Sequence, residues 1–383
     1  MATIKAASEA DVIDDVAAAR DAKRTLEIVG GGTRRGFGVP VAADDVLDVS
    51  GHSGIVKYEP EELVLKARAG TKVSEINAVL AEKNQRLGFE PSDWAALYGT
   101  TPGITTIGGA LSADANGAAA VRFGCARDSL LGYRAVNGFA KAYRAGSDVV
   151  KNVTGFDLPK LVCGAMGTLS VLTEVTLRVF PRPEHVWSLA IYDVATERAF
   201  ALMRDVLASG ISPTALTFVP GHDDASSGIA TIRIEGSSAS IARKREMLRA
   251  MVGRGSLTDV PNGDAVLART SSAAVMAQAE DNVWRVQLPA TEAMALIAAW
   301  KPKRWLADWG GAALWMLDVE NEDAVARHAL VAKHGGHARL VRGSDAARQF
   351  AFPPMSEQER ALSLSVKAAF DSLGLFNPGR MGL

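Results

Sequence analysis

At 383 residues the chain has the length of two domains, and 48% hydrophobic against 22% charged residues is the balance of a protein able to bury a sizeable core. Its 42 Lys and Arg against 43 Asp and Glu leave a net charge of −1, which argues against a general basic surface for nucleic acid. Two cysteines, Cys125 and Cys163, are too few for a disulfide framework, a four-cysteine zinc site or an iron–sulfur cluster within the chain.

Residues 8–24 place Val12, Ile13, Val16 and Ala17 at helical spacing, and 25–29 follow as a short buried strand. After the run Gly30-Gly31-Gly32-Thr33-Arg34-Arg35-Gly36 come strands at 46–49 and 63–69. A helix over 72–84 then carries Val73, Ile76, Val79 and Leu80 on one face. Residues 85–129 hold a second glycine concentration and little periodicity. Strands resume at 130–137 and 139–144, a short helix is expected over 157–163 and a long strand over 169–180. Pro181-Arg182-Pro183 punctuates the chain. From 186 to 259 the expected order is strand, helix, strand, strand, helix, strand, and from 283 to 341 it recurs; each block fits the split β-α-β-β-α-β plan. Residue identities do not repeat between the blocks, so the repeat is one of structure. A last helix over 356–373 precedes a tail ending Phe376-Asn377-Pro378-Gly379-Arg380-Met381.

The expected organisation is therefore a glycine-rich first domain over 1–182, an α+β second domain over 183–342, and a C-terminal segment over 343–383 too short to stand alone. The longest apolar stretch, 161–175, is broken by Gly164, Gly167, Ser170, Thr173 and Glu174 and falls short of a membrane span. The N-terminus lacks the basic start and apolar run of a secretory leader. The expectation is a cytoplasmic protein, with peripheral docking at the inner membrane through a complex left open.

Three glycines straight after a strand expose consecutive backbone N–H groups, a nest able to cradle phosphate. Neither the P-loop ending nor G-x-G-x-x-G is present, and the run alone fits a tight turn equally well. The second concentration runs from Gly99 to Gly117 through Pro102, Gly103, Thr106, Ile107, Gly108, Gly109, Ser112 and Asn116. Small residues dominate it, so that backbone can approach something flat and large. A third segment sets Gly155, Gly164 and Gly167 before the strand containing Val171. Three such surfaces in one domain suggest an extended phosphate-containing cofactor; the alternative is three unrelated turns.

The order GGGT after a strand, TIGGALSADANG, RFGCARD, KNVTGFDLPKL, GAMGTLSVLTEVTLRVFPRPE and a terminal FNPGRM resembles the FAD-linked oxidases with a PCMH-type FAD domain, the vanillyl-alcohol-oxidase-like superfamily. Within it the chain is most similar to the FAD-binding E subunits of bacterial glycolate oxidases, closely over about 25–183 and at the tail, loosely over 183–342. The resemblance implies a small parallel α/β unit followed by a mainly antiparallel α+β unit with FAD between them, and then an α+β cap domain. It implies that Gly30, Gly31, Gly32 and Thr33 receive the pyrophosphate through their N–H groups. Thr106, Ile107, Gly108, Gly109 and Ser112 run along the diphosphate toward the isoalloxazine ring. Gly164, Gly167 and Val171 border the ribityl or adenine side, and Asn377 and Arg380 return with the tail. Arg34, Pro102, Gly103 and Asn116 are counted with these loops. Some relatives attach FAD through a histidine near the first glycine loop; here Thr33 and Arg34 stand there and His52 lies past the next strand, so non-covalent FAD is expected.

Catalytic residues are less legible. Lys151-Asn152 could face an anionic substrate or the flavin, or be a turn cation. The stretch His334-Gly335-Gly336-His337-Ala338-Arg339 could be a substrate site; without a carboxylate it is a weak metal set, and it reads first as a helix end, glycine stop and strand start. No metal is expected. Asp157 is expected to cap a helix, Arg127 and Asp128 to pair, the cysteines to be small buried residues, and most tryptophans of the second domain to be core. The functional expectation is the FAD-binding subunit of a glycolate-oxidase-like dehydrogenase acting on a small 2-hydroxyacid of the glycolate or D-lactate class. Its implied partners are a second flavoprotein and an iron–sulfur subunit. The alternatives are a stand-alone FAD-dependent alcohol or 2-hydroxyacid oxidoreductase and a structural subunit with an empty flavin pocket.

Overall fold

The computed structural model describes residues 1–147, 156–221, 226–253, 257–277, 281–318 and 323–383. The chain divides into two compact units: Met1–Asn116 with Cys125–Pro181 and Met355–Leu383, and Gly117–Gly124 with Arg182–Pro354.

The first unit opens with a parallel sheet of β1 (Thr3–Lys5), β2 (Leu26–Val29) and β3 (Asp45–Asp48) in the order β1-β3-β2. The helix Glu9–Ala22 starts at a capping box, in which Ser8 Oγ accepts the Asp11 N–H at 3.1 Å and the Asp11 carboxylate accepts the Ser8 N–H at 3.0 Å. Its Val12, Val16 and Ala19 are buried in one cluster with Leu26, Leu47, Leu375 and Phe376. Burial of each large aliphatic side chain there stabilises by about 1.5–3 kcal/mol. The remaining strands, β4 (Ile55–Glu59), β5 (Val64–Arg68), β6 (Gln85–Leu87), β7 (Leu130–Asn137), β8 (Ala142–Gly146) and β9 (Ser170–Pro181), form an antiparallel sheet. It runs β4-β5-β9-β7-β8, and β6 pairs with the far end of β9. Ile76 and Leu80 of the helix Val73–Glu82 pack into its core with Leu65, Phe89, Ile107 and Val175.

After the helix Glu357–Phe370, the buried carboxylate of Asp371 accepts the N–H groups of Leu375 at 3.0 Å and Phe376 at 2.9 Å. That turn lays the tail along the open edge of β2. Leu26 N–H donates to Leu375 O at 2.7 Å and Asn377 N–H to Leu26 O at 2.9 Å, with Phe376 bridged in parallel to Leu26.

The second unit holds one antiparallel sheet of β10 (His185–Ala195), β11 (Ala215–Pro220), β12 (Ser227–Gly236), β13 (Thr258–Asp259), β14 (Asn282–Gln287), β15 (Arg304–Asp308), β16 (Ala313–Asp318) and β17 (His337–Arg342). Their order is β13-β10-β12-β11-β15-β16-β14-β17. These are the two expected β-α-β-β-α-β units. They join through their second strands, where Phe218 stands opposite Ala307. Trp284, Trp300 and Trp315 are fully buried, and Trp305 packs on Phe200 and Phe218 at 5.9 and 5.7 Å. Gly117–Gly124 belongs here because the Trp309 indole N–H donates to Gly117 O at 3.0 Å and Ala118 is buried with Ala215 and Leu267.

Several local expectations change. The stretch over 85–129 is not irregular throughout: it contains the helices Ala95–Tyr98, Ile107–Ser112, Ala120–Phe123 and Ala126–Ser129, each too short to display a 3.6-residue period. β1, β4 and β6 are strands beyond those expected, and β8 lies two to three residues beyond its expected place. Asp157 stands at the start of the helix Leu158–Val162 without capping it; its carboxylate pairs with Lys160 at 3.0 Å instead. Asp128 accepts the Cys125 N–H at 2.8 Å as a helix cap instead of forming the expected pair with Arg127. Cys125 and Cys163 are half-buried rather than buried.

Candidate functional site

The two sheets of the first unit flank a cleft whose wall begins where β2 ends. One part, about 530 Å³, is lined by residues 28–35 together with Phe37, Thr106, Gly109, Ser112, Ala113, Met166, Asn377 and Arg380. An adjoining part of about 420 Å³ shares Gly30, Thr106 and Ser112 and adds Val49, Ala69, Gly108, Gly167, Ser170 and Leu172.

The triple glycine is required by the crowding behind it. A Cβ on Gly31 would lie 1.8 Å from Ile104 O, and one on Gly30 would lie 2.4 Å from Thr106 Oγ1. Two loops therefore press backbone against backbone. Gly32 turns the chain at φ +69°, a conformation that side chains disfavour. The N–H groups of Gly31, Gly32 and Thr33 have no acceptor among the described residues, so three consecutive donors remain for a ligand. Thr106 caps the helix Ile107–Ser112, its Oγ1 accepting the Gly109 N–H at 3.3 Å.

The tail locks the opposite wall. Asn377 accepts the Ile28 N–H at 2.9 Å through Oδ1 and donates to Met166 O at 2.7 Å through Nδ2, joining β2, the loop before β9 and the C-terminus in one buried amide. Arg380 donates to Phe37 O at 3.2 Å and Arg35 O at 2.8 Å. The buried carboxylate of Glu27 is shared between Arg380, at 3.5 Å, and Arg35, whose Nε is at 3.0 Å and whose Nη2 also bonds it; this contact raises the Arg35 pKa.

Of the residues singled out in the sequence, Gly30, Gly31, Gly32, Thr33, Arg34, Thr106, Gly108, Gly109, Ser112, Gly167, Asn377 and Arg380 line the cleft. Six others do not. Pro102 and Gly103 are exposed, with the Gly103 N–H bonded to Asp93 at 2.9 Å. Ile107 points into the core of the larger sheet, and Val171 is buried beneath the parallel sheet. Asn116 spends its amide on Ala126 N–H at 2.6 Å and on Asp114, and Gly164 lies against Asp114. Lys151, Asn152 and Gly155 lie outside the described residues. His337 and Arg339 are on β17 of the second unit, where His337 Nε2 meets Gln287 Oε1 at 2.9 Å. His334, at a helix end, meets Glu292 at 2.9 Å. Among the described residues no three His, Cys, Asp or Glu side chains are grouped to hold a metal. Sequence reasoning missed Ile28, Phe37, Ala113 and Met166, ordinary apolar residues that only the fold turns toward the cleft.

A diphosphate-containing cofactor fits this construction: open N–H donors at a strand end, guanidinium groups outnumbering carboxylates, and apolar walls on either side. The comparisons decide which one. The FAD binding domain family matches residues 1–146. The glycolate oxidase subunit GlcE of Escherichia coli K12 is 31% identical over 370 residues, covering 97% of this chain and 96% of that one. The chain belongs to the FAD-linked oxidases with a PCMH-type FAD-binding domain. A D-lactate dehydrogenase of Anaerostipes hadrus is 30% identical over 194 residues, 50% of this chain and 37% of the relative. Among solved structures, 4-ethylphenol oxidase from Gulosibacter chungangensis superposes with a TM-score of 0.74 over 99% of this chain and 88% of its own; at 14% identity it attests the fold alone. As a member of these FAD-linked oxidases the chain is an FAD-dependent oxidoreductase. Among the described residues no helix is long and apolar enough to cross a membrane.

Proposed function

We propose that the chain is the FAD-binding subunit of a glycolate-oxidase-like complex that oxidises a small 2-hydroxyacid, of the glycolate or D-lactate class, with FAD held non-covalently. The observation that carries this reading is the 31% identity to glycolate oxidase subunit GlcE, which spans 97% of this chain. A second flavoprotein and an iron–sulfur subunit would be its partners, in the cytoplasm or peripherally at the inner membrane. The second unit would act as a cap for substrate or as the interface to a subunit.

The chemistry a bound FAD supplies is acceptance of a hydride from the alcohol carbon. The chain's own part is binding and orientation. The N–H groups of Gly31, Gly32 and Thr33 would hold the diphosphate, with Thr106, Gly109 and Ser112 along the same wall. Asn377 fixes the position of β2 relative to the loop before β9, and so the width of the cleft. Among the described residues the ionisable groups lining the cleft are the guanidiniums of Arg34, Arg35 and Arg380, which do not accept a proton at neutral pH. Non-covalent attachment is supported by the first glycine loop, which presents Thr33 and Arg34 and no histidine. His52 is buried with Nδ1 3.3 Å from Ala7 O.

Purified protein should be yellow and should release its colour into the supernatant on acid precipitation; colour left in the pellet would mean a covalent flavin, and a colourless preparation an empty scaffold. Glycolate or D-lactate should bleach the flavin only in preparations containing the co-expressed partners. The likeness to D-lactate dehydrogenase over half the chain favours a second reading, in which the chain turns over by itself. Anaerobic bleaching of the isolated chain by either acid would establish that reading in place of the first.

A further inference from the structure

Among the described residues three guanidiniums line the cleft, and the carboxylate of Glu27 is shared by two of them, Arg35 and Arg380. Arg34 makes no ion pair among the described residues. It is nevertheless only 9% exposed, and it is held rather than loose. Its Nη2 bonds Ser92 O, its Nη1 donates to Thr33 Oγ1 at 3.3 Å, and its guanidinium carbon lies 5.3 Å from the centre of the Trp94 ring. Trp94 in turn stands edge-on to Phe37 at 5.3 Å. The Arg34 Nε–H is buried without an acceptor.

The carboxylate with the strongest influence on Arg34, Asp93, is committed elsewhere: its oxygens accept from Ala95 N–H at 3.0 Å, Gly103 N–H at 2.9 Å and Thr105 Oγ1 at 3.0 Å. Burial pushes the Arg34 guanidinium down to about 10, which still leaves it charged at neutral pH. Asp93 attracts Arg34 from beyond ion-pair distance, and a buried cation without a directly bonded carboxylate is costly. Here it stands next in sequence to three N–H donors that also lack acceptors and add partial positive charge to the same wall. The diphosphate of FAD carries one negative charge on each phosphate.

We propose that Arg34 is the charge anchor for the diphosphate of FAD, a fixed buried cation that no carboxylate of the described residues bonds and that attracts the cofactor's phosphates. In a water-poor wall the attraction reaches further than a hydrogen bond, so the guanidinium acts from behind the glycine loop while the N–H groups make the contacts. The Trp94 face and the Ser92 carbonyl keep it there. The inference rests on FAD as the cofactor and is independent of which alcohol is oxidised.

The test titrates flavin-stripped full-length chain with FAD and with riboflavin, which has no phosphate. Arg34→Met should lose about 10- to 100-fold in FAD affinity, the scale of one charge-assisted interaction, and nothing in its weaker affinity for riboflavin. Arg34→Lys, which keeps the charge, should stay close to wild type with both ligands. Flavin-free Arg34→Met should melt no lower than flavin-free wild type, because a costly buried charge has been removed. Unchanged FAD affinity in Arg34→Met would leave the backbone nest sufficient and overturn the proposal. An equal loss for FAD and riboflavin, a Lys variant as weak as the Met variant, or a Met variant that no longer folds without flavin would overturn it too. The first two outcomes would place the effect outside the diphosphate charge, and the third would make Arg34 a structural residue. Glycolate turnover could fail in every case without touching this comparison.

Discussion

Gly31 and Gly109 both line the cleft, yet the space around them differs enough to give opposite expectations for the same substitution. A Cβ on Gly31 would be driven into Ile104 O, a backbone atom that cannot rotate away, whereas one on Gly109 would meet only Thr106 Oγ1 at 3.1 Å. Gly31→Ala should therefore push the first glycine loop off its neighbour and weaken FAD binding by roughly tenfold or more. Gly109→Ala should keep its flavin. Gly109→Asp should lose it, because a carboxylate then faces the phosphates. Flavin-to-protein ratios after gel filtration check all three, and a fully loaded Gly31→Ala would refute the assignment of this loop. At this scale the glycines were readable, since no other residue type tolerates such an approach. The sharing of Glu27 by Arg35 and Arg380 was not, because partners 8 and 353 positions apart are chosen by the fold.

At the scale of elements, long strands and helices were legible where periodicity had room to show. The strand β7 falls on its expected bounds, and the helices Thr196–Ala208 and Ser238–Val252 and the strands β15 and β16 take their expected places in the order of the two blocks. The meeting of the two β-α-β-β-α-β units through β11 and β15 was not legible. It depends on which edges are left free after each unit closes, not on any local pattern. The helix Ala324–Lys333 carries a consequence for pH. Its His328 is buried edge-to-face on Trp284 at 5.2 Å, with Nε2 2.9 Å from Phe350 O and Nδ1 without a partner among the described residues. Burial lowers its pKa below the ordinary 6.5, so the folded chain binds this proton less readily than the unfolded chain does. The stabilising difference is complete above about pH 6.5 and is lost as pH falls from there through the lower folded value. Thermal melts between pH 7.5 and pH 5 should show wild type losing more stability than His328→Gln; parallel curves would contradict the burial argument.

At the scale of the whole molecule, the cofactor-binding unit is assembled from three stretches of chain separated by 117–124 and 182–354. The tail supplies an edge bridge to β2 and, through Asn377 and Arg380, part of the cleft wall. A chain ended after Gly374 should therefore lose its flavin. Its first unit should also melt lower, since Ile28 N–H and Met166 O would each give up a buried partner at roughly 1–3 kcal/mol apiece. Full flavin content in that truncated chain, read by absorbance after gel filtration, would remove the tail from the site. From sequence, the tail's part came through family resemblance; nothing in Phe376-Asn377-Pro378 by itself specifies a strand edge more than three hundred residues away.

The lateness of that closing piece bears on synthesis in the cell. A ribosome makes the amide that fixes the glycine nest long after the nest itself, with 349 positions between Ile28 and Asn377. The growing polypeptide must carry an unfinished nucleotide pocket through the making of an entire intervening domain. Flavin loading is consequently expected to wait until Asn377 has been made and has reached Ile28 and Met166.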